Sequence, residues 1–553
     1  MFRDEATEPT SLDAPQLRDP QATPADRDLN LGLIVLALAL APSLAAVAWV
    51  PEFSTQDGPA HLYSARIIAD SLGPNSPFRK TFEVTWQPLP NWMGQLATMA
   101  AVRALPPGLA GRAITALTLL VVAGSVAWLR WVVAGPRGLW VASLAAALLS
   151  MNVTWLLGFT SFLLGAALVP ATLGAWWGGR DGFGPARALG IAGLLVLGYF
   201  CHPIGLALSV AGLGILAVAT PGPDRPSRGL WTASSLLPLV PLGLAYRLLT
   251  RSGGGLEPVW EHLSGRWSLA SWVAQVGWVD PISLAAKSFR PFSATPSAAN
   301  GLIAPAAWMA LALAILAAST WMRGSGRRPW GWLAALLLAL GLFGPDTLGL
   351  KHGHYLPQRV ALLGLMTLVP WLDLDPGRWP GRVAAAILAL ALVVQSAFVW
   401  DYAMECRRRV GPMLRAAPAV VDGSRVGTLL VDIRGRFRSN PLLHADCLLG
   451  LSTDAVLWTN YETTHYYFPV KVRAGLDHPP AARFERLAVL DDPVDAAKRA
   501  QLWADLLREH GPAIDVVIEW GSDRTLDAIL ARDYEPIPVD GEVRAWSRSR
   551  RKP

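Results

Sequence analysis

The sequence predicts a polytopic α-helical membrane protein of about eleven transmembrane helices, N-terminus inside and C-terminus outside, followed by a C-terminal extracytoplasmic α/β domain. Three observations carry this expectation. Hydrophobic residues make up 52% of the 553-residue chain and charged residues only 16%. Apolar stretches of about 20 residues, the length that crosses a bilayer's hydrocarbon, recur from residue 30 to residue 402. From about residue 415 the texture changes to short apolar runs separated by polar and turn-forming residues, as in a soluble domain.

Residues 1–29 are rich in Asp, Pro, Thr and Arg without apolar periodicity, and read as a disordered cytoplasmic tail. The segment "NLGLIVLALALAPSLAAVAWV" is longer than a signal-peptide core and follows an acidic leader, so it reads as an uncleaved anchor. After this first span, near residues 30–51, ten more fall near 110–134, 138–158, 160–178, 186–202, 204–220, 230–249, 301–322, 329–344, 358–373 and 382–402. The fifth and sixth are short and meet at "FCHPIG", where Pro203 lacks the N–H that would carry one helix onward. A tight pair that turns back is expected there, with a single kinked helix as the alternative.

The loops "GPRG", "GGRDGFGPAR", "PGPDRPSRG", "MRGSGRRPW" and "DLDPGRWPGR" all carry arginine, which places them inside. The net charge of +7 is largely this arginine, so it orients the chain in a bilayer and does not indicate a nucleic-acid surface. The outer side receives loops 52–109, 250–300 and 345–357 and the tail after residue 402. In a Gram-negative cell the protein is then a multi-pass inner-membrane protein with a periplasmic C-terminal domain. Within the first outer loop, "PAHLYSARIIADSL" and "NWMGQLATMAAVRAL" have apolar residues at helical spacing and read as amphipathic helices on the membrane surface. Trp260, Trp267, Trp272 and Trp278 in the second suit an interfacial belt. Cys406 and Cys447 would be free to pair if both lie outside the cytoplasm, although three scattered cysteines form no disulfide framework.

The C-terminal domain, residues 415–553, holds three strand-like runs, "VGTLLVDI", "AVLWTN" and "AIDVVIEWG", with the amphipathic helix "DPVDAAKRAQLWADLLREHG" between the last two. No glycine-rich phosphate loop follows any of these strands, so no nucleotide site is assigned.

Ionisable side chains are costly inside a bilayer, and most of this chain's lie in the outer loops near the span ends, where a lipid-linked substrate presents its head group. Asp57 is the candidate catalytic acid: it follows the first span by six residues, within about 20 Å of the membrane even when extended, and a carboxylate there can take a proton from an acceptor hydroxyl. Its alternative role is to cap the helix that begins at Gly58 and Pro59. In the last outer loop, "KHGHYLPQR" gathers Lys351, His352, His354, Tyr355 and Arg359. Arg359 is the candidate ligand of a lipid phosphate, since guanidinium offers a bidentate fork, with Lys351, His352 and His354 in support; interfacial snorkelling is the alternative. His61 and Tyr63, beside Asp57, and His202, at the turn between the fifth and sixth spans, are further candidates to line a substrate cavity. The sequence assigns no cofactor, and a divalent metal held by His352, His354, His61 and Asp57 is a second reading. Asn152 matches a glycosylation sequon but lies in or beside a span, and is discounted.

This arrangement of anchor, acidic first outer loop with two surface helices, paired short spans and outer C-terminal domain resembles the GT-C superfamily of membrane glycosyltransferases, which includes protein mannosyltransferases, the oligosaccharyltransferase catalytic subunit and the lipid A aminoarabinose transferase. "DGPAHLYSA" matches the acidic motif at Asp57, Tyr63 and Ala65, while Gly58 stands where relatives often carry a second acid. Glu52, Asp70 and Asp346 are candidate substitutes. The resemblance implies transfer of a sugar from a polyprenyl-phosphate donor to a cell-envelope acceptor on the outer face, with Asp57 as the base or the acid that orients the acceptor, and Arg359 with Lys351 stabilising the departing phosphate. Two readings compete. A transporter should show matching broken spans in two halves, whereas the break at Pro203 has no counterpart; a non-catalytic scaffold would present the C-terminal domain to partners.

Overall fold

The computed structural model describes residues 24–250, 282, 305–324, 326–345, 347–348, 355–431, 433, 437–488, 496–539 and 541–549. Apolar helices occur at all eleven expected positions. Six are long and apolar enough to cross a membrane: α1 (Pro24–Trp49), α4 (Pro107–Ala134), α7 (Thr160–Gly179), the nearly continuous pair α10 (Arg225–Ser234) and α11 (Leu239–Leu249), Pro305–Arg323 and Trp379–Arg415. Five are shorter: α5 (Leu139–Ser150), α8 (Pro185–Cys201), α9 (Pro203–Ala219), Arg328–Phe343 and Leu356–Leu368. The architecture is that of a polytopic α-helical membrane protein.

Helix α5 sits at the centre of the bundle, with every residue but Trp140 buried. It packs on α1, α4 and Trp379–Arg415, and a serine ties it to α1, Ser143 Oγ donating to the Gly32 carbonyl at 2.8 Å. The expected span 138–158 ends early, at Ser150. Asn152, fully buried, caps the four-residue α6 (Val153–Leu156) by accepting from the Trp155 N–H at 3.0 Å, and Gly158 follows with φ +82°. At the fifth and sixth spans there are two helices and not one: His202 is extended (φ −162°, ψ 132°), and Pro203 starts α9. The 37 residues of Trp379–Arg415 extend about 55 Å at 1.5 Å per residue, well beyond the hydrocarbon of about 30 Å, and lead straight into the C-terminal unit.

The two helices expected in the first loop are α2 (Gly58–Ser71) and α3 (Trp92–Ala104). They were expected on the membrane surface, but α2 has nine buried residues because the C-terminal unit covers it. In that unit, strands β2 (Arg425–Leu430), β3 (Val456–Leu457) and β5 (Val516–Trp520) match the three apolar runs. Two more, β6 (Tyr534–Ile537) and β7 (Val543–Arg548), complete a sheet in the order β3-β2-β5-β7-β6, with β2 parallel to both neighbours and β7 antiparallel to both of its own. The expected amphipathic helix is Ala496–His510, and its Trp503 and Leu506 are buried.

The first loop and the C-terminal unit are joined by backbone. Strand β1 (Phe82–Val84) pairs antiparallel with β4 (Val470–Val472). Arg66 donates to the Gly450 carbonyl and to Asp454, both at 3.0 Å. A side chain at Gly450 would meet the Tyr63 ring at 2.5 Å, so that contact requires glycine. All three cysteines are free and buried; Cys406 and Cys447 do not pair, and the Cys406 thiol lies 3.4 Å from the Ser54 carbonyl.

Candidate active site

Asp57 sits at the N-cap of α2, but its side chain makes no capping hydrogen bond, so its carboxylate is free for other contacts. Its place is set by backbone: the N–H groups of Gln56 and Asp57 donate to the carbonyls of Leu156 and Leu157, each at 3.0 Å. That approach is possible because residue 158 is glycine. A Cβ there would stand 2.6 Å from Thr55 Oγ1, 2.8 Å from the Gly58 nitrogen and 3.2 Å from the Asp57 nitrogen, and φ +82° disfavours any other residue.

The next residues hold the opposite charge. Arg359, in the helix Leu356–Leu368, has its guanidinium 4.6 Å from the ring centre of Phe159 and 5.0 Å from that of Phe162, a geometry favoured by cation–π attraction. Its Nη1 lies 3.1 Å from His202 Nε2, while its Nε is buried without a hydrogen-bond partner among the described residues. One short segment, residues 156–162, therefore supports both Asp57 and Arg359. The two are within electrostatic range of each other, and Tyr355 and Tyr467 lie within range of both. Tyr355 itself adopts φ +56° at the start of the Arg359 helix and packs its ring 5.7 Å from Phe159.

Around Asp57 a polar cluster draws on the C-terminal unit. Gln56 Nε2 lies 3.4 Å from Asp57 Oδ1 and His444 Nε2 lies 3.7 Å from it. His444 is stacked on Tyr461 with ring centres 4.7 Å apart. His61 Nδ1 is bonded to Glu462, which also accepts from Gln95 Nε2 at 3.2 and 2.9 Å. Burial raises the Asp57 carboxyl from 3.8 to about 6, against the charge of His61 and hydrogen bonds from Gln56 and Tyr461, which pull it down. Burial also opposes the His61 imidazolium, but the Glu462 carboxylate outweighs it, and the His61 pKa rises above its ordinary value. His444 goes the other way: burial, with His61 beside it, lowers it to about 3. His444 therefore faces Asp57 as a neutral ring, and the contact is not an ion pair.

Of the candidates read from the sequence, Asp57, His61, Arg359 and His202 are thus placed in one region. Tyr63 is not: its hydroxyl donates to the Ala455 carbonyl at 2.7 Å and accepts from the Leu457 N–H at 3.2 Å, so the residue packs α2 onto the C-terminal unit. Lys351, His352 and His354 lie outside the described residues, as does Asp346. Of the other proposed second acids, Asp70 is bonded to Arg66 at 3.3 Å and Glu52 lines a different cavity. The acid beside Asp57 is Glu462, fully buried. Sequence reasoning missed it because it lies in "NYETTHYY", some 400 residues away; the signal was the density of aromatic and ionisable residues in that run. Among the described residues no group of three or more His, Cys, Asp or Glu side chains is arranged to hold a metal.

No protein-family model matches the chain, and no curated protein matches it by sequence. Solved structures do match. The aminoarabinose transferase ArnT from Cupriavidus metallidurans in the apo state matches with a TM-score of 0.52 at 11% identity, over 93% of this chain and 97% of that one. The same protein bound to undecaprenyl phosphate matches with a TM-score of 0.51 at 11% identity, over 94% and 98%. The archaeal oligosaccharyltransferase AglB from Archaeoglobus fulgidus, in complex with an inhibitory peptide and a dolichol-phosphate, matches more loosely, with a TM-score of 0.44 at 12% identity over 94% and 74%. Nearly the whole length of the chain thus shares the fold of the ArnT structures.

Proposed function

We propose that the chain is a glycosyltransferase that moves a sugar from a polyprenyl-phosphate donor to an acceptor at the outer face of the membrane. The observation that carries this reading is the support of Asp57 and Arg359, a buried acid and a buried arginine, by the single segment 156–162. Arg359 suits the donor's phosphate: its planar guanidinium is already oriented by two aromatic rings, so little further ordering is needed to meet an anion. Asp57 suits the acceptor, because a base with its pKa raised to about 6 is still largely ionised at neutral pH yet binds a proton more readily than an exposed carboxylate. The sugar carbon would lie between them, with charge building on the phosphate as the bond to it breaks and a proton passing from the acceptor hydroxyl to Asp57. The neighbouring ArnT structure was determined with undecaprenyl phosphate, a carrier of the chemistry this site would take.

His61 and Glu462 support Asp57 and do not touch substrate in this reading. The charge of His61 holds the Asp57 pKa down and keeps it usable as a base. Sugar transfer from a polyprenyl-phosphate donor, measured on the full chain in proteoliposomes, tests the proposal. The native chain should turn over and Asp57→Asn should not; equal turnover in both would remove Asp57 from the role of base.

A further inference from the structure

Three connections meet at the end of the bundle remote from the C-terminal unit: that between α4 and α5, that between Pro305–Arg323 and Arg328–Phe343, and that between Leu356–Leu368 and Trp379–Arg415. They are packed on one another. A Cβ at Gly138 would collide with the Leu374 carbonyl. The Asp373 N–H donates to Thr320 Oγ1 at 2.7 Å, and Arg327 Nη1 donates to the Pro370 carbonyl at 3.1 Å.

Two carboxylates link the arginines of these connections into one chain of contacts. Asp373 is bonded to Arg323 and lies 3.6 Å from Arg378, while Asp375 lies 3.4 Å from Arg378 and 3.2 Å from Arg137. Arg130, buried, donates to the carbonyls of Gly135 and Arg137 at 3.0 and 2.9 Å and is within electrostatic range of Arg327 and Asp373. Against these five arginines stand two acids, which leaves the patch positive. Arginines spread over separate loops would orient the spans equally well. Here packing holds them together against their mutual repulsion, which an anion offsets.

The patch is open to such an anion. The side chains of Arg137, Arg378 and Arg323 are 76%, 49% and 38% exposed. Trp321 and Met322 precede Arg323, and Trp379 follows Arg378, all strongly exposed. Tryptophan settles at the boundary between lipid head groups and acyl chains, so the charges stand at head-group depth.

We infer that this patch binds the phosphodiester of an anionic phospholipid in the leaflet remote from the C-terminal unit. The phosphate lies on Arg378, with Arg323 and Arg137 adding charge on either side and the acyl chains beside Trp321 and Trp379. A zwitterionic lipid brings its own cation to the same charges and is held less well. The site does not depend on the transferase reading, since its occupancy is read without sugar transfer.

Native mass spectrometry of the full chain, equilibrated with equimolar phosphatidylglycerol and phosphatidylethanolamine, tests this. The native chain should retain phosphatidylglycerol more than fivefold better. Arg137→Gln and Arg323→Gln should each cut that preference about fivefold, the value of one basic side chain at an anionic surface. Arg378→Lys, which keeps the charge, should hold most of it. Arg180 stands at the same end of the bundle but beside Asp181, and Arg180→Gln should leave the preference unchanged. Equal retention of the two lipids by the native chain, or an unchanged preference in both Arg137→Gln and Arg323→Gln, would overturn the site. Equal losses in Arg180→Gln and Arg137→Gln would overturn it in favour of a diffuse basic face. Displacement of the lipid by equimolar glycerophosphoglycerol would overturn its assignment to a membrane lipid rather than a soluble phosphodiester.

Discussion

The Glu462 carboxylate, carried by the C-terminal unit, is bonded to the imidazole of His61 on the first loop, and Gln95 on α3 donates to both of its oxygens. Three parts of the chain converge on one carboxylate, which makes Glu462 the charge that keeps His61 protonated. Replacing Glu462 by Gln removes that support, so His61 loses its charge at lower pH. Asp57 then loses the cation that holds its pKa down. Glu462 also raises the Asp57 pKa directly, but this contribution is smaller than that of His61, so the net shift is upward. Glu462→Gln should move the acid limb of the transfer rate above its native midpoint near pH 6; an upward displacement of one pKa unit, worth about 1.4 kcal/mol, lowers the ionised fraction and the rate at pH 7 about twofold and the rate at pH 6 about fivefold. A pH–rate profile on both proteins checks it; an unmoved acid limb would give Glu462 a packing role alone.

Asp57 ties activity and stability together. Its pKa in the folded chain, about 6, is above its ordinary 3.8, so the folded state binds a proton that the unfolded chain has already released. The cost of ionising the buried carboxyl is therefore absent below about pH 4 and complete above about pH 6, amounting to at most about 3 kcal/mol. Asp57→Asn should abolish transfer while raising the midpoint of thermal unfolding at pH 7.5, with the stabilisation gone at pH 4. Unfolding midpoints of the two proteins at both pH values measure it.

Gly158 lets the segment 156–162 run close against the backbone of Asp57. Gly158→Ala brings a Cβ to 2.8 Å from the Gly58 nitrogen and forces a side chain into φ +82°. The cost should be about 1–3 kcal/mol of stability, and the displaced Asp57 should lose rate by about a hundredfold, as expected for a misplacement of about 1 Å. Thermal unfolding and turnover, measured on the same preparation, should show the loss of rate to be the larger effect.

Arg359→Lys keeps the charge but loses the planar face that stacks on Phe159 and Phe162 and the fork that meets two phosphate oxygens. Transfer should fall by about tenfold to a hundredfold, the value of one charge-assisted hydrogen bond. Arg359→Gln should fall further. Steady-state kinetics in the donor concentration check this, and a lysine variant with native kcat/KM would assign Arg359 to packing.

Local composition was enough to find the helices, because a segment that crosses hydrocarbon must be apolar along its length and satisfy its own backbone. All eleven positions, the α2 and α3 pair, and three of the five sheet strands were legible in this way, as were Asp57 and Arg359, which stand at the ends of apolar stretches. The same reasoning placed Tyr63 in the cavity, since proximity in sequence says nothing of which way a buried tyrosine hydroxyl turns, and only the neighbouring Gly450, with no side chain, opened the space that Tyr63 fills. Nor could it find Glu462, which reaches Asp57 only because β1 pairs with β4 and Arg66 holds the C-terminal unit against α2. Hydrophobic spacing acts over a few residues and is written in the sequence. The partnership of two acids some 400 residues apart depends on how separate units pack, and only the tertiary structure decided it.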